Sequence, residues 1–71
     1  MDILVFVTNV ANKTAVSRVK PLLTAVPAIV DWNFDLDDCD RILRIVSHNL
    51  SPRKVESLLQ TAGFACYELE Y

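Results

Sequence analysis

Few side chains in this sequence are suited to chemistry: two cysteines, one histidine and a run of aspartates. Cys39 and Cys66 are too widely spaced for a Cys-x-x-Cys metal knuckle and too few for the disulfide framework of a small secreted domain, so both are expected to be reduced thiols. His48 belongs to no recognisable nucleophile–base pair, and a single glycine leaves no phosphate-binding loop. The sequence therefore predicts a protein that is not an enzyme and carries no cofactor.

Aspartates cluster around Cys39 and suggest calcium binding at first sight. They are Asp35, Asp37, Asp38 and Asp40. The cluster lacks the central glycine and the terminal glutamate of an EF-hand loop, so a solvated acidic turn is the better interpretation. Reactive cysteines sit in electropositive surroundings, whereas this one is flanked by acidic residues, so a plain turn residue is favoured over a reactive or chain-linking thiol.

Size and composition predict one small domain spanning residues 1–71. Of its 71 residues, 52% are hydrophobic and 23% are charged, which favours a compact fold over a disordered chain. The net charge of −2 includes no basic stripe, so nucleic acid is not an expected partner. The longest apolar run, Ile3 to Val7, is too short to span a bilayer, and the chain does not open like a signal peptide. No membrane insertion and a cytoplasmic location are expected.

Turn and cap residues divide the chain into six elements. Asn12 is suited to cap a first helix, in which Pro21 is expected to cause a kink, and Ser51-Pro52 and Gly63 mark the start and end of a second. The predicted elements are a strand at 3–8, a helix from 12 to just before Pro27, strands at 30–36 and 42–46, a helix from 51 to 62 and a strand at 64–69. The order predicts an α+β, ferredoxin-like βαββαβ fold, with two helices on one face of a four-stranded antiparallel sheet.

Six short segments, taken in order, resemble the heavy-metal-associated (copper-chaperone-like) domains over nearly the whole chain. They are Thr8-Asn9-Val10, Val19-Lys20-Pro21-Leu22-Leu23, Asp31-Trp32, Asp40-Arg41-Ile42-Leu43, Ser51-Pro52 and Ala62-Gly63-Phe64. The resemblance implies binding of copper(I) or a similar soft ion by a Cys-x-x-Cys motif in the first loop. Asn12 and Ala15 occupy those two cysteine positions, and neither supplies a thiolate. The resemblance therefore implies the family's fold without its metal site.

Without cysteines at these two positions, two functions remain open. The first is a protein-interaction module, and the alternative is a heavy-metal transport or detoxification protein that binds copper or zinc weakly through other ligands or between chains. If strands one and three run parallel, His48 and Cys66 both lie near Asn12 and are the candidate replacement ligands. Cys39 would then lie at the opposite edge, about 20 Å from Cys66 and beyond disulfide reach.

The uncovered sheet face is the predicted interaction surface. If Val5 and Val7 face the helices, the other face carries apolar residues from three strands: Leu4, Phe6, Ile42, Val46, Tyr67, Leu69 and Tyr71. An exposed patch of this kind favours pairing with a protein partner or a second copy. A slip of one residue in the first strand would instead bury Leu4 and Phe6 and expose their neighbours.

Overall fold

A computed structural model of the chain describes residues 1–69, and its elements follow the predicted order. They are β1 Asp2–Thr8, α1 Lys13–Thr24, β2 Ile29–Asp35, β3 Ile42–Ser47, α2 Pro52–Thr61 and β4 Cys66–Glu68. The strands form one antiparallel sheet in the order β2-β3-β1-β4. The predicted α+β, ferredoxin-like fold is confirmed.

The predicted start of α1 and the predicted end of α2 are each held by a local hydrogen bond. Asn12 has an extended backbone, and its side-chain oxygen accepts a hydrogen bond from the Ala15 N–H at 2.9 Å. At the end of α2, Gly63 adopts a φ of 93° and its N–H donates to the Gln60 carbonyl at 3.0 Å, the left-handed cap expected of glycine. Ser51 stands at the start of α2 but makes no side-chain capping bond. Helix α1 continues through Pro21 to Thr24, and the kink stays a prediction.

The core lies between the sheet and the two helices. Its fully buried side chains are Phe6, Val10, Val19, Leu23, Leu43, Ile45, Val55, Leu59 and Cys66. Trp32 and Phe34 pack against this cluster from β2. Val30 was expected on the same face but is 53% exposed, because an irregularity between Ile29 and Asp31 breaks the alternation there.

The predicted orientation of β1 is wrong. Phe6 is opposite Leu43 and Leu4 is opposite Ile45, so both side chains point into the core. Ile3, their neighbour, is 69% exposed. Every residue from 3 to 7 is apolar, so hydrophobicity does not set the phase of the strand, and the alternative slip of one residue is the one that occurs.

The predicted parallel arrangement of strands one and three is also wrong. Strand β1 pairs antiparallel to β3, with Asp2 opposite Ser47, so β3 ends where β1 begins. The β2–β3 hairpin therefore lies beside the end of β1, where the Thr8 N–H donates to the Asp40 carbonyl at 3.2 Å. Cys66 is opposite Thr8 at this same end. Cys39, in the hairpin, is thus at the same end of the sheet as Cys66 and not at the opposite one.

Within residues 1–69, no helix has both the length and the apolar character that crossing a membrane requires.

Candidate functional site

The loop between β1 and α1 is tied to the structure on both sides. The Thr8 hydroxyl donates to the Arg41 carbonyl at 2.6 Å and accepts from the Val10 N–H at 3.2 Å, which links the loop to the β2–β3 hairpin. The Asn9 side-chain oxygen accepts from the Ala65 N–H at 2.8 Å, which links it to the segment before β4. Because Val10 is fully buried between these anchors, the path of the loop into α1 is well defined.

Asn12 and Ala15, at the two positions implied for metal-binding cysteines, do not fit a soft metal ion. The Asn12 side-chain oxygen is a neutral, hard donor, and it is already the acceptor for the Ala15 N–H. The Ala15 side chain is half-buried and packs against the core. These residues begin a helix, and they offer copper(I) no thiolate.

His48 and Cys66 do not form a replacement site within the chain. His48 follows the end of β3, beside the start of β1, whereas Cys66 is opposite Thr8 at the other end. Those ends are about 20 Å apart along a strand of this length. Cys66 is fully buried, and burial first and the Glu56 carboxylate second raise the pKa of its thiol to about 12. The predicted proximity of the two residues is therefore wrong, and Cys66 is a protonated core thiol at neutral pH.

The β2–β3 hairpin holds the one group of three metal-type side chains in the described part of the chain. Potential ligand atoms of Asp38, Cys39 and Asp40 lie within 4.8 Å of one another. The Asp38 carboxylate, however, accepts a hydrogen bond from the Asp40 N–H at 2.8 Å. Arg41, with a φ of 48°, donates its guanidinium to the Leu36 carbonyl. The hairpin is thus an acidic turn whose side chains hold its own backbone, and both cysteines are free thiols.

The uncovered sheet face is apolar along β1 and β4, although part of the residue set differs from the predicted one. Cross-strand partners share a face, and Ile3 is opposite Val46 while Val7 is opposite Tyr67. Ile3 and Tyr67 are 69% and 61% exposed. We call the apolar part of this surface the open face; it comprises Ile3, Val5, Val7, Ile42, Val46, Tyr67 and Leu69. The rest of the same surface is polar or charged, with Arg44 opposite Val5 and with Asp31, Asn33 and Asp35 on β2. Ile42 lies at its border and is nearly buried.

Four of the predicted interaction residues thus lie on the open face, and Leu4 and Phe6 do not. Tyr71 lies outside the described residues. The pairing of β1 with both β3 and β4 is what assigns Val5 and Val7 to the surface, and no periodicity in the run from residue 3 to residue 7 distinguishes them from Leu4 and Phe6.

Solved structures that resemble this chain include domains described in copper- or zinc-bound forms. A yeast copper transporter domain, solved in apo and Cu(I)-loaded states, has a TM-score of 0.82 and 11% identity, with 96% of this chain and 94% of that chain covered. The N-terminal domain of ZntA in its Zn(II) form has a TM-score of 0.80 and 14% identity, covering 96% and 92%. The Cu(I)-loaded first domain of the human copper chaperone CCS has a TM-score of 0.77 and 21% identity, covering 93% and 89%.

These similarities establish the fold, and the predicted resemblance to heavy-metal-associated domains is confirmed at that level. No protein-family model and no curated protein matches the sequence.

Proposed function

We propose that this chain is a protein-interaction module on a heavy-metal-associated fold, and that it self-associates through the open face. The observation that carries the proposal is the uncovered apolar surface, on which Ile3 and Tyr67 expose most of their side chains. The loss of both thiolate positions, with Asn12 serving as a helix cap, argues against soft-metal delivery by the first loop.

A second copy is the simplest occupant of the open face. Water contact with contiguous apolar side chains is unfavourable, and stacking two such faces removes both from water in a closed, symmetric dimer. Strands β1, β3 and β4, about 4.8 Å apart and about 3.4 Å long per residue, give roughly 260 Å² per copy, which is below the usual size of a stable interface. The dimer should therefore be weak and depend on concentration.

Sedimentation equilibrium tests the proposal. The wild-type chain is expected to self-associate as its concentration approaches the millimolar range, and a variant with Ile3→Gln and Tyr67→Gln is expected to stay monomeric. Leu22→Gln is the matched control, because Leu22 is a partly exposed apolar residue of α1 on the other side of the sheet. A wild-type chain that remains monomeric, or a double variant that associates equally well, would contradict pairing through this face.

Metal handling is the second candidate, because the solved neighbours include Cu(I)-loaded and Zn(II) forms. Cys39 is the exposed thiol of the described residues, so a soft ion would have to be shared by hairpins of two chains or held weakly by one. Cu(I) titration of a Cys39→Ser variant tests this directly: the second function requires that the substitution remove the binding.

A further inference from the structure

A groove of about 500 Å³ lies between α1 and the edge strand β2, on the helix side of the sheet. Its half-buried apolar lining is Val16, Trp32, Phe34 and Leu36, with Lys13 and Lys20 from α1 beside it. The Trp32 and Phe34 rings meet edge to face, with centroids 5.8 Å apart. We propose that this groove binds an extended segment of a partner protein, which adds a fifth strand alongside β2 and presents acidic and apolar side chains to α1.

The two edges of the sheet differ in how they are covered. At β4, the Glu56 carboxylate accepts from the Glu68 N–H at 2.8 Å, and the Gln60 side chain donates to the Cys66 carbonyl at 2.9 Å. Helix α2 thus occupies backbone groups that an incoming strand would need. Within residues 1–69, no side chain of α1 makes an equivalent bond to β2, although α1 lies beside it.

The seven-residue strand β2 keeps an edge that an added strand can use. The Trp32 N–H points away from β3 and donates to the carboxylate of Asp31 at 2.9 Å. Alternation along the strand directs the backbone groups of Phe34 to the same side. An added strand would replace the exposed Asp31 carboxylate as the acceptor for the Trp32 N–H. Its main-chain hydrogen bonds would supply affinity, and contacts between its side chains and the groove would supply specificity.

Charge around β2 determines which side chains the added strand should carry. Lysines and no acidic residues line the groove, so the side chains that face Trp32 and Phe34 should be acidic or apolar. The intervening residues would lie beside Asp31, Asn33 and Asp35 and should be basic or neutral.

The aspartates of β2 disfavour a second copy as the occupant in the register centred on Asn33. If β2 strands of two copies paired antiparallel about Asn33, Asp31 of each would lie opposite Asp35 of the other, and like charges directly opposite destabilise a sheet. A heterologous segment with alternating chemistry meets no such repulsion.

Selection from a displayed library of random linear octapeptides tests the inference with the full chain as target. Peptides with acidic or apolar residues at every second position should be enriched. Trp32 is the only tryptophan, so its emission reports directly on binding in the groove. Reversing both lysines, with Lys13→Glu and Lys20→Glu, should weaken the selected peptide about tenfold or more. The matched control, Arg53→Glu with Lys54→Glu, makes the same charge change on α2 and should leave the affinity within about twofold.

Amide chemical shifts provide a second readout, and they should move along β2 and α1. No enrichment above an unrelated protein, equal weakening by both charge reversals, or shifts confined to β1 and β4 would overturn the inference. The groove and the open face are on opposite sides of the sheet, so failure here leaves the self-association proposal intact and the sedimentation experiment tests that proposal separately.

Discussion

Replacing Asn12 by alanine should destabilise the protein because it removes the hydrogen bond that begins α1. The Asn12 side-chain oxygen is 2.9 Å from the Ala15 nitrogen, and Asn12 has the extended backbone of an N-cap residue. An N-cap side chain in this geometry contributes about 1 kcal/mol. A domain of this size has roughly 4–10 kcal/mol of total stability, so the loss is measurable and should lower the melting temperature by about 4–8 °C.

Ser51→Ala is a matched control for this substitution. Ser51 occupies the N-cap position of α2, but its side chain makes no capping hydrogen bond, so its loss should cost only a few tenths of a kcal/mol. Urea unfolding of the wild type, Asn12→Ala, Asn12→Asp and Ser51→Ala gives the comparison, with Asn12→Asp expected near the wild type. Equal losses for Asn12→Ala and Ser51→Ala would refute the assignment of the first loop as a helix cap.

Substitutions at three further positions test individual features. Burial raises the pKa of Cys66 from 9.0 to about 12, so the folded chain keeps a proton that the unfolded chain loses, and stability falls as the pH rises through this range. At a pH midway between those two pKa values, the free energy of unfolding of the wild type should have fallen from its value at neutral pH by about 2 kcal/mol more than that of Cys66→Ala. Urea unfolding measures both values. Gly63→Ala should cost about 1–2 kcal/mol through backbone strain alone, since φ is 93° and an added Cβ meets nothing within 4 Å, and Gly63→Asn should cost less in thermal melts. Thr8→Val removes the hydroxyl that bonds Arg41 and Val10 and should cost about 2 kcal/mol in urea unfolding, whereas Thr8→Ser should cost less.

Features governed by neighbouring residues were predictable from the sequence. Asn12 caps α1 because its short side chain reaches the N–H three residues on, and Gly63 ends α2 because it adopts positive φ without strain. Strand β2 was recognisable from alternating residues such as Trp32 and Phe34, which pack on the core. The order of such elements was sufficient to predict the fold.

Features that depend on pairing between distant segments were not predictable in the same way. The run from Ile3 to Val7 is apolar on both faces, so only its register with β3 and β4 decides that Phe6 is buried. The positions of His48 and Cys66 depended on strand direction, and an antiparallel β1–β3 pair moves them to opposite ends of the sheet. The groove beside β2 had no local sequence signal, because its lysines come from α1 and its aromatic residues from β2.

The central proposal is that this chain carries a helix cap at the positions where the resemblance to heavy-metal-associated domains implies metal ligands. The most direct test is an anaerobic titration with copper(I) and zinc(II) against a competing chelator, for the wild type and for Asn12→Cys with Ala15→Cys. The account predicts no tight binding by the wild type and one tightly bound copper(I) ion in the double-cysteine variant. Tight binding by the wild type would contradict the proposal, and Cys39→Ser, His48→Ala and Cys66→Ser would then identify the ligands.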